Sequence, residues 1–294
     1  MLFISCGKQQ AINYNIPHTI ETGKVVFAGV RSSSYGIKPF PDPREWQHAV
    51  DKMAGYYEGA APCAIWIVGR FKGPKGCLLE FPSDGRQDAN IFFSENDKHE
   101  SYLNHFDSTG IKVFLQVEPG HACVDTLIYT VLNRYRHHPC VIGFGVDVEW
   151  YREADHPKWG VKVADDSAKA WETRVKSYYS NYRLFLKHWD RDWMPSNYRG
   201  DIIFVDDSQM HENFERMVEE FVVSWADYFK PNIIFYQIGY RSDRPWWEQL
   251  DSPPKDIGMT IASNIDQQCG IFWVDFTLRD VLLSSIDSVT TNQN

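Results

Sequence analysis

The 294-residue sequence lacks the features that would place it in several special classes of protein. No apolar run approaches the roughly 20 residues that a transmembrane helix requires, so we expect no transmembrane segment. Positive charge is not in excess: the formal net charge is -9, whereas proteins that bind nucleic acid normally present a basic surface to the phosphates. No internal repeat, low-complexity segment or linker divides the chain. These absences favour a single globular domain that binds no nucleic acid.

Cysteine pairs of the kind that hold zinc are also missing. The six cysteines are scattered and none belongs to a CxxC pair. The run His137-His138-Pro139-Cys140 places candidate ligands together, but no second spaced pair accompanies it, so a zinc site is not predicted. We expect neither a metal nor a cofactor, and disulfide pairing stays open.

A candidate targeting signal lies at the N-terminus. Phe3-Ile4-Ser5-Cys6 resembles the end of a bacterial lipoprotein signal, in which the cysteine is lipidated after cleavage. Only five residues precede Cys6, too few for the charged and apolar regions of a complete signal. We expect residues 1–23 to lie outside the fold and residues 24–294 to form the domain. The expected protein is a monomer outside the cell or in its envelope, with a candidate lipid anchor at Cys6.

Short apolar runs alternate with helical patterns along the chain. The runs are rich in Val, Ile and Phe with little alternation, as in parallel strands covered on both faces. The predicted strands are Val25–Arg31, Cys63–Gly69, Ile111–Glu118, Val141–Glu149, Ile202–Asp206, Ile233–Gly239, Ile257–Ala262 and Gly270–Asp275. Among the predicted helices are Pro43–Tyr57, capped by Asp42, and the long segment Ser167–Trp189. Eight such units predict an α/β fold, a single-domain (β/α)8 TIM barrel; a doubly wound open sheet is the alternative.

Acidic, amide and aromatic residues gather at the predicted C-terminal ends of the strands, where barrels of this kind carry their active sites. The residues at these ends are Gln116, Glu118, Asp147, Glu149, Asp206, Asp207, Tyr236, Gln237, Tyr240, Trp273 and Asp275. Long segments follow the second strand (Phe71–Ser94) and the fourth (Trp150–Asp166), and they could wall a cleft. The aromatic content of 15% fits either a large core or a cleft that stacks on sugars.

The fourth predicted strand carries the most information. Side chains two apart on a strand share a face, so Gly143, Gly145, Asp147 and Glu149 are all expected to point into the barrel mouth. Two glycines below two carboxylates would leave open space there. Buried charges are costly unless they are compensated, which at this position favours a catalytic pair over a purely structural one.

This strand resembles that of the family 18 glycoside hydrolases, the chitinases and endo-β-N-acetylglucosaminidases, which ends in D-G-x-D-x-D-x-E. Asp147 and Glu149 match the last two acidic positions and Gly143 matches the glycine, whereas Ile142 and Gly145 replace the other two acids. The resemblance implies that Glu149 is the general acid. It also implies that Asp147 orients the N-acetyl group of the substrate, which serves as the nucleophile.

Two other strand ends extend the resemblance. Ile234-Phe235-Tyr236-Gln237 is similar to the family's sixth strand, whose Tyr bonds near the reacting acetamido group. Gly270-Ile271-Phe272-Trp273 is similar to the eighth strand, whose Trp floors the sugar subsite, whereas the third strand end, Gln116–Gly120, departs from the usual S-x-G-G. The implied activity is hydrolysis of a glycan that contains β-linked N-acetylhexosamine. Tyr236 would then be catalytic, and the remaining residues at the strand ends would bind the carbohydrate substrate.

Several alternatives stay open. The missing acids are also compatible with a lectin-like barrel that binds a glycan without cleaving it, or with an envelope scaffold. Family 25 lysozymes share D-x-E and an Asp near strand eight, for which Asp275 is available, but Val25–Arg31 lacks their Asp on strand one. The large clan of retaining glycosidases places a nucleophilic Glu on strand seven, and Ile257–Ala262 has none.

Overall fold

The computed structural model describes residues 14–73, 76–85 and 88–283, which form one closed barrel. The strands are β1 (Val25–Ser32), β2 (Ala61–Lys72), β3 (Gly76–Leu79), β4 (Ile91–Phe93), β5 (Lys112–Val117), β6 (Val141–Asp147), β7 (Arg183–Lys187), β8 (Ile203–Asp206), β9 (Ile234–Ile238) and β10 (Cys269–Val274). Eight of them are parallel neighbours in the order β1-β2-β5-β6-β7-β8-β9-β10, and β10 pairs with β1 to close the ring. The predicted single-domain (β/α)8 TIM barrel is therefore confirmed.

Helices follow the barrel strands on the outside. They are α1 (Pro43–Ala54), α2 (Glu100–Thr109), α3 (Val124–Tyr135), α4 (Asp165–Lys176), α5 (Phe214–Glu219), α6 (Asp227–Phe229), α7 (Arg244–Trp247), α8 (Pro253–Ser263) and α9 (Leu278–Val281). A π-helical segment, Glu220–Ala226, joins α5 to α6. The predicted cap of α1 is confirmed: Asp42 accepts from the backbone of Arg44 and Glu45, and the Glu45 side chain bonds back to Asp42.

Two predicted elements are wrong: one predicted strand is part of a helix, and one predicted helix contains a strand. The number of barrel strands is therefore still eight. Ile257–Ala262 belongs to α8, in which every residue from 257 to 262 is buried. A helix buried on all sides lacks an amphipathic period, so its apolar run resembles a buried strand. The missed fifth barrel strand is β7, which lies inside the predicted helix Ser167–Trp189. Consequently β9 is the seventh barrel strand, and it also contains no Glu.

The strands β3 and β4 extend the sheet beyond the barrel. β3 runs antiparallel to the end of β2, and β4 pairs in parallel with β3. This extension occupies part of the segment expected to wall a cleft.

Residues facing into the barrel form a dry floor beneath its C-terminal end. They are Cys63, Ile65, Phe114, Phe185, Ile203, Val205, Phe235 and Phe272. Residues of the opposite parity pack against the helices in the larger outer core. Because side chains alternate between faces, this inner set fixes which residues at each strand end point into the mouth.

Gly143 and Gly145 leave no open space, contrary to expectation. A Cβ on Gly145 would lie 1.9 Å from Cζ of Phe185, and one on Gly143 would lie 2.6 Å from the ring of Phe114. Both glycines face inward as predicted, but the phenylalanine rings of the flanking strands fill the volume above them. The glycines thus permit the aromatic floor.

The chain ends lie partly outside the described residues. Residues 14–24 contain no helix or strand, and Cys6, with the rest of residues 1–13, lies outside the part that the structure describes. Within the described ranges, no helix is both long enough and apolar enough to cross a membrane.

Candidate active site

A buried lysine lies in the barrel mouth, the end of the barrel at which the eight parallel strands terminate. Lys187 is the last residue of β7, and its side chain is only 3% exposed. Its Nζ lies 3.1 Å from Asp147 Oδ2 and 3.7 Å from Glu149 Oε2, and it also contacts Asp207 Oδ2. We call these four residues the Lys187 cluster. Burial opposes the charge of the lysine, but the three carboxylates raise its pKa well above the usual value, so the side chain is an ammonium.

Asp147 is the enclosed carboxylate of the cluster. It ends β6, is 1% exposed, and accepts a hydrogen bond from Gln116 Nε2 at 3.1 Å. Burial raises the pKa of Asp147 well above its usual value, against the lowering effect of Lys187 and with a further rise from Glu149. Its second oxygen, Oδ1, is buried and has no hydrogen-bond partner among the described residues. That oxygen is available to a polar group of a ligand.

Glu149 is the accessible carboxylate of the cluster. It lies two residues beyond the end of β6, in the 3-10 turn Val148–Trp150. Its side chain is 25% exposed, compared with 1% for Asp147 and 5% for Asp207. Burial raises the pKa of Glu149; Lys187 lowers it, but Asp207 contributes to the net increase. A carboxyl group with a raised pKa and access to solvent is suited to donate a proton.

Asp207 and Gln237 occupy the next two strand ends on the inner face. Asp206 and Tyr236 are partners in the β8–β9 register, so the following residue of each strand turns to the same inner side. Gln237 is fully buried, and its Oε1 accepts a hydrogen bond from the Tyr240 hydroxyl at 3.2 Å. Asp207 Oδ1 and Gln237 Nε2 are buried without hydrogen-bond partners in the described part of the chain.

A second set of ion pairs and hydrogen bonds closes the opposite side of the mouth. Arg31 of β1 contacts Asp275 at 2.9 Å, and Ser33 donates to the other oxygen of Asp275 from both its backbone and its hydroxyl. Arg31 also donates to the Tyr35 hydroxyl at 2.9 Å, and this hydroxyl donates to Glu118. Asp275 and Glu118 are therefore held by protein partners.

The end of β2 and the turn after β6 meet beside the mouth. The backbone N–H of Phe71 donates to Glu118 Oε2 at 2.7 Å. The Phe71 ring stacks on Trp150 with 4.6 Å between centroids.

Three half-buried tryptophans form an aromatic surface in the segments that follow β6 and β7. Trp189 follows the end of β7, and its ring centroid lies 4.2 Å from that of Trp159. The ring of Trp193 lies 4.9 Å from the same Trp159 ring. Partly exposed indole faces beside a polar site are suited to pack on the apolar faces of sugar rings.

Two residues that were predicted at the mouth face away from it. The Tyr236 hydroxyl donates to the Phe221 carbonyl at 2.9 Å, and the two rings stack in the outer core. Trp273 is fully buried, donates from Nε1 to Thr277, and packs edge-on against Trp247. Both side chains face the helices, so neither lines the mouth.

Asp206 is a third correction. It has the same parity as Phe204, which packs on Phe229 in the outer core, so it points away from the inner face. Its carboxylate accepts from the backbone and hydroxyl of Ser208 instead.

The other predicted residues do come together at the mouth, where their chemical roles remain predictions. They are Gln116, Glu118, Asp147, Glu149, Asp207, Gln237, Tyr240 and Asp275. Sequence reasoning missed Lys187 and Tyr35 as members of the site. Lys187 could have been found from the inner parity of Phe185 had Arg183–Lys187 been recognised as a strand.

Comparisons with known proteins support the fold but do not show a family or a function. No protein-family model and no curated protein matches the chain. A solved structure described as a "putative alpha-L-fucosidase" from Bacteroides thetaiotaomicron is similar, with a TM-score of 0.53 and 11% sequence identity. The match covers 93% of this chain and 91% of the other. At this identity the likeness shows the barrel fold alone.

Proposed function

We propose that the protein is a glycoside hydrolase in which Glu149 is the general acid. The observation that carries the proposal is the contrast within the Lys187 cluster. Glu149 is 25% exposed with a raised pKa, while the other two carboxylates are nearly closed to solvent. A proton donor to a glycosidic oxygen must be protonated and reachable: the raised pKa of Glu149 favours its protonated form, and its partial exposure makes it reachable.

The mouth offers hydrogen-bonding groups that suit a polyhydroxylated ligand. Buried atoms without hydrogen-bond partners among the described residues include Gln116 Oε1, Asp147 Oδ1, Asp207 Oδ1 and Gln237 Nε2. Three acceptors and one donor of this kind match sugar hydroxyl and amide N–H groups. Leaving such atoms unsatisfied is costly, and a bound sugar would satisfy them. A carbohydrate that also stacks on the surface formed by Trp159, Trp189 and Trp193 is the substrate class we favour.

The mechanism we propose is substrate-assisted cleavage next to an N-acetylhexosamine, as the resemblance to family 18 implies. Asp147 would accept the acetamido N–H on its free Oδ1, which raises the nucleophilicity of the acetamido oxygen. This oxygen attacks the anomeric carbon while Glu149 protonates the leaving oxygen and the glycosidic bond breaks. A water then opens the cyclic intermediate at the anomeric carbon and gives its proton to the Glu149 carboxylate, which restores the acid. The seventh barrel strand, β9, has no Glu to act as a covalent nucleophile, which supports this scheme over an ordinary two-carboxylate one. Polymeric glycans lie mainly outside cells, so export of the protein is part of the same proposal.

The outward orientation of Tyr236 and Trp273 changes the proposed substrate contacts. The acetamido group and the cleaved sugar would be held by Gln116, Gln237 and Tyr240 at the mouth instead. Without Tyr236 and Trp273, the resemblance to the family 18 site rests on Asp147 and Glu149.

The experiment compares Glu149→Gln and Asp147→Asn on two kinds of N-acetylglucosaminide. Glu149→Gln should abolish cleavage of chitobiose or N-glycan substrates but spare aryl glycosides with activated leaving groups, which need little protonation. Asp147→Asn should impair both. The matched control is Glu58→Gln, because Glu58 is an exposed glutamate and its charge change should leave the rates unaffected.

Two outcomes would overturn parts of the proposal. Equal rates on substrates without the acetamido group, with a trapped glycosyl-enzyme ester, would replace substrate assistance by a covalent mechanism. Sugar binding without any turnover would show a lectin-like barrel rather than a hydrolase.

A further inference from the structure

A second group of ionisable residues lies away from the mouth, between α2 and the turn that precedes β6. Glu100 is the first residue of α2, and His137 and His138 lie in the turn after α3. Nε2 of His137 is 3.5 Å from Glu100 Oε1, and Nε2 of His138 is 3.5 Å from Glu100 Oε2. One ligand atom from each residue can be chosen so that all three lie within 4.8 Å of one another.

The orientation of His138 is fixed by a carboxylate behind it. Its Nδ1 lies 2.6 Å from Asp107 Oδ2, and the other oxygen of Asp107 accepts from the backbone N–H of Cys140. Asp107 therefore acts as an acceptor towards both neighbours, which places the imidazole proton on Nδ1. Nε2 faces Glu100, and it is buried with no hydrogen-bond partner among the described residues. The His138 side chain as a whole is only 1% exposed.

Because Nδ1 of His138 is bonded to Asp107, Nε2 is the ring nitrogen that a cation between His138 and Glu100 would bind. Zinc binds imidazole nitrogen and carboxylate oxygen at about 2.1 Å with tetrahedral geometry, which separates ligand atoms by about 3.4 Å. The two observed separations of 3.5 Å, one to each oxygen of Glu100, are close to that length, and a small adjustment of side chains within 4.8 Å of one another would bring all three ligand atoms to it. A carboxylate bonded to the far nitrogen of a histidine is also the usual support of a metal ligand.

We propose that Glu100, His137 and His138 bind a divalent transition-metal ion, for which Zn²⁺ is the best match, with water in the fourth position. The side chains of His137 and Glu100 are 59% and 41% exposed, so the ion is reachable and the fourth position faces solvent. The metal would link α2 to the turn that begins β6. It would be structural, because His138 precedes β6 whereas Asp147 is the last residue of the same strand.

The sequence alone indicates only part of this proposed metal site. His137 and His138 are adjacent, but Glu100 lies on another helix and Asp107 is a full two turns further along it. Only the packing of α2 against the turn brings the four residues together.

The test uses the whole protein stripped of metal with a chelator and titrated with zinc chloride by calorimetry. We expect one Zn²⁺ per chain in the unmodified protein. Binding should weaken at least about tenfold in His137→Ala and in Glu100→Gln, and about 10- to 100-fold in Asp107→Asn, which keeps the size of the side chain. The matched control is His48→Ala, because His48 is an exposed histidine elsewhere and its loss should change nothing.

Two further measurements distinguish metal binding at this site from a folding defect of the variants and from metal binding by a cysteine thiol. His137 is largely exposed, so His137→Ala should melt at the same temperature as the unmodified protein without zinc. Saturating zinc should raise only the melting temperature of the unmodified protein, by several degrees. With Co²⁺ in place of zinc, the absorption spectrum should show tetrahedral bands without thiolate charge transfer. No binding by the unmodified protein, equal binding by His137→Ala, or a thiolate band that disappears in Cys123→Ser would overturn the proposal.

Discussion

Replacing Lys187 with methionine tests whether one ammonium group compensates the acidic mouth. At an effective dielectric constant of about 20, its contacts at 3.1 Å with Asp147 and 3.7 Å with Glu149 are each worth about 5 kcal/mol before desolvation. Much of this offsets the cost of burying the charges. Removing one partner of a buried ion pair typically costs about 3–5 kcal/mol, which is a large share of the stability of a domain.

The loss should depend on pH in a definite direction. In the folded protein the pKa values of Asp147 and Glu149 are raised, because burial outweighs the lowering effect of Lys187. Protonation of these groups therefore favours folding, and the stability it contributes is lost as pH rises through the folded pKa values. Without Lys187 both pKa values should rise further. Lys187→Met should consequently be destabilised by about 3–5 kcal/mol at pH 8, and by less at pH 5.

The assay is urea unfolding at pH 5 and pH 8, followed by fluorescence of the buried tryptophans. The double variant Lys187→Met with Asp147→Asn removes one of the uncompensated charges and should recover a large part of the loss at pH 8. Lys169→Met is the matched control: Lys169 is exposed on α4, and its replacement should change the free energy of unfolding by no more than about 0.5 kcal/mol. If Lys187→Met unfolds like the unmodified protein at pH 8, the cluster does not depend on this lysine and the reasoning is refuted.

Three further predictions concern packing and capping. Gly145→Ala should lower the free energy of unfolding by about 1–3 kcal/mol, since the new Cβ would lie 1.9 Å from Phe185; urea unfolding tests this, and a second change, Phe185→Leu, should recover part of the loss. Tyr236→Phe should lower the free energy of unfolding by about 1 kcal/mol in the same assay, because the hydrogen bond to the Phe221 carbonyl is lost. The rate of glycoside cleavage should stay unchanged; a large fall in this rate would show that Tyr236 does act in the site. Asp42→Ala should cost about 1 kcal/mol, measured by thermal unfolding, because α1 loses its N-cap; an unchanged melting temperature would contradict the cap.

Much of the barrel was predictable because its strands are apolar on both faces and its helices carry local signals. The prediction was wrong in two segments, β7 and α8, where these local signals are absent. The strand β7 is short and follows a helical pattern without a break strong enough to end it. Helix α8 is enclosed by its surroundings, and its sequence carries no charge from residue 257 to 262. Propensity and period describe a segment alone, whereas both of these assignments depended on what packs around it.

Strand parity explains the pattern of success at the site. The predicted residues included the adjacent pairs Asp206 with Asp207 and Tyr236 with Gln237, although neighbours on a strand face opposite sides. The sequence therefore already excluded one member of each pair, but it could not say which. The inward side chain of Phe235 decides the second pair in favour of Gln237.

The aromatic floor connects the glycines of β6 to the chemistry of the mouth. Phe114 and Phe185 can cross the barrel interior only because Gly143 and Gly145 lack side chains. Their rings exclude solvent from below the Lys187 cluster, and burial is the largest influence raising the pKa values of Asp147 and Glu149. A side chain at Gly145 that displaced the ring of Phe185 would therefore do more than strain the core. By admitting water beneath the carboxylates, it would lower their pKa values towards those of free acids and shift the pH dependence of any proton transfer by Glu149 to more acidic values.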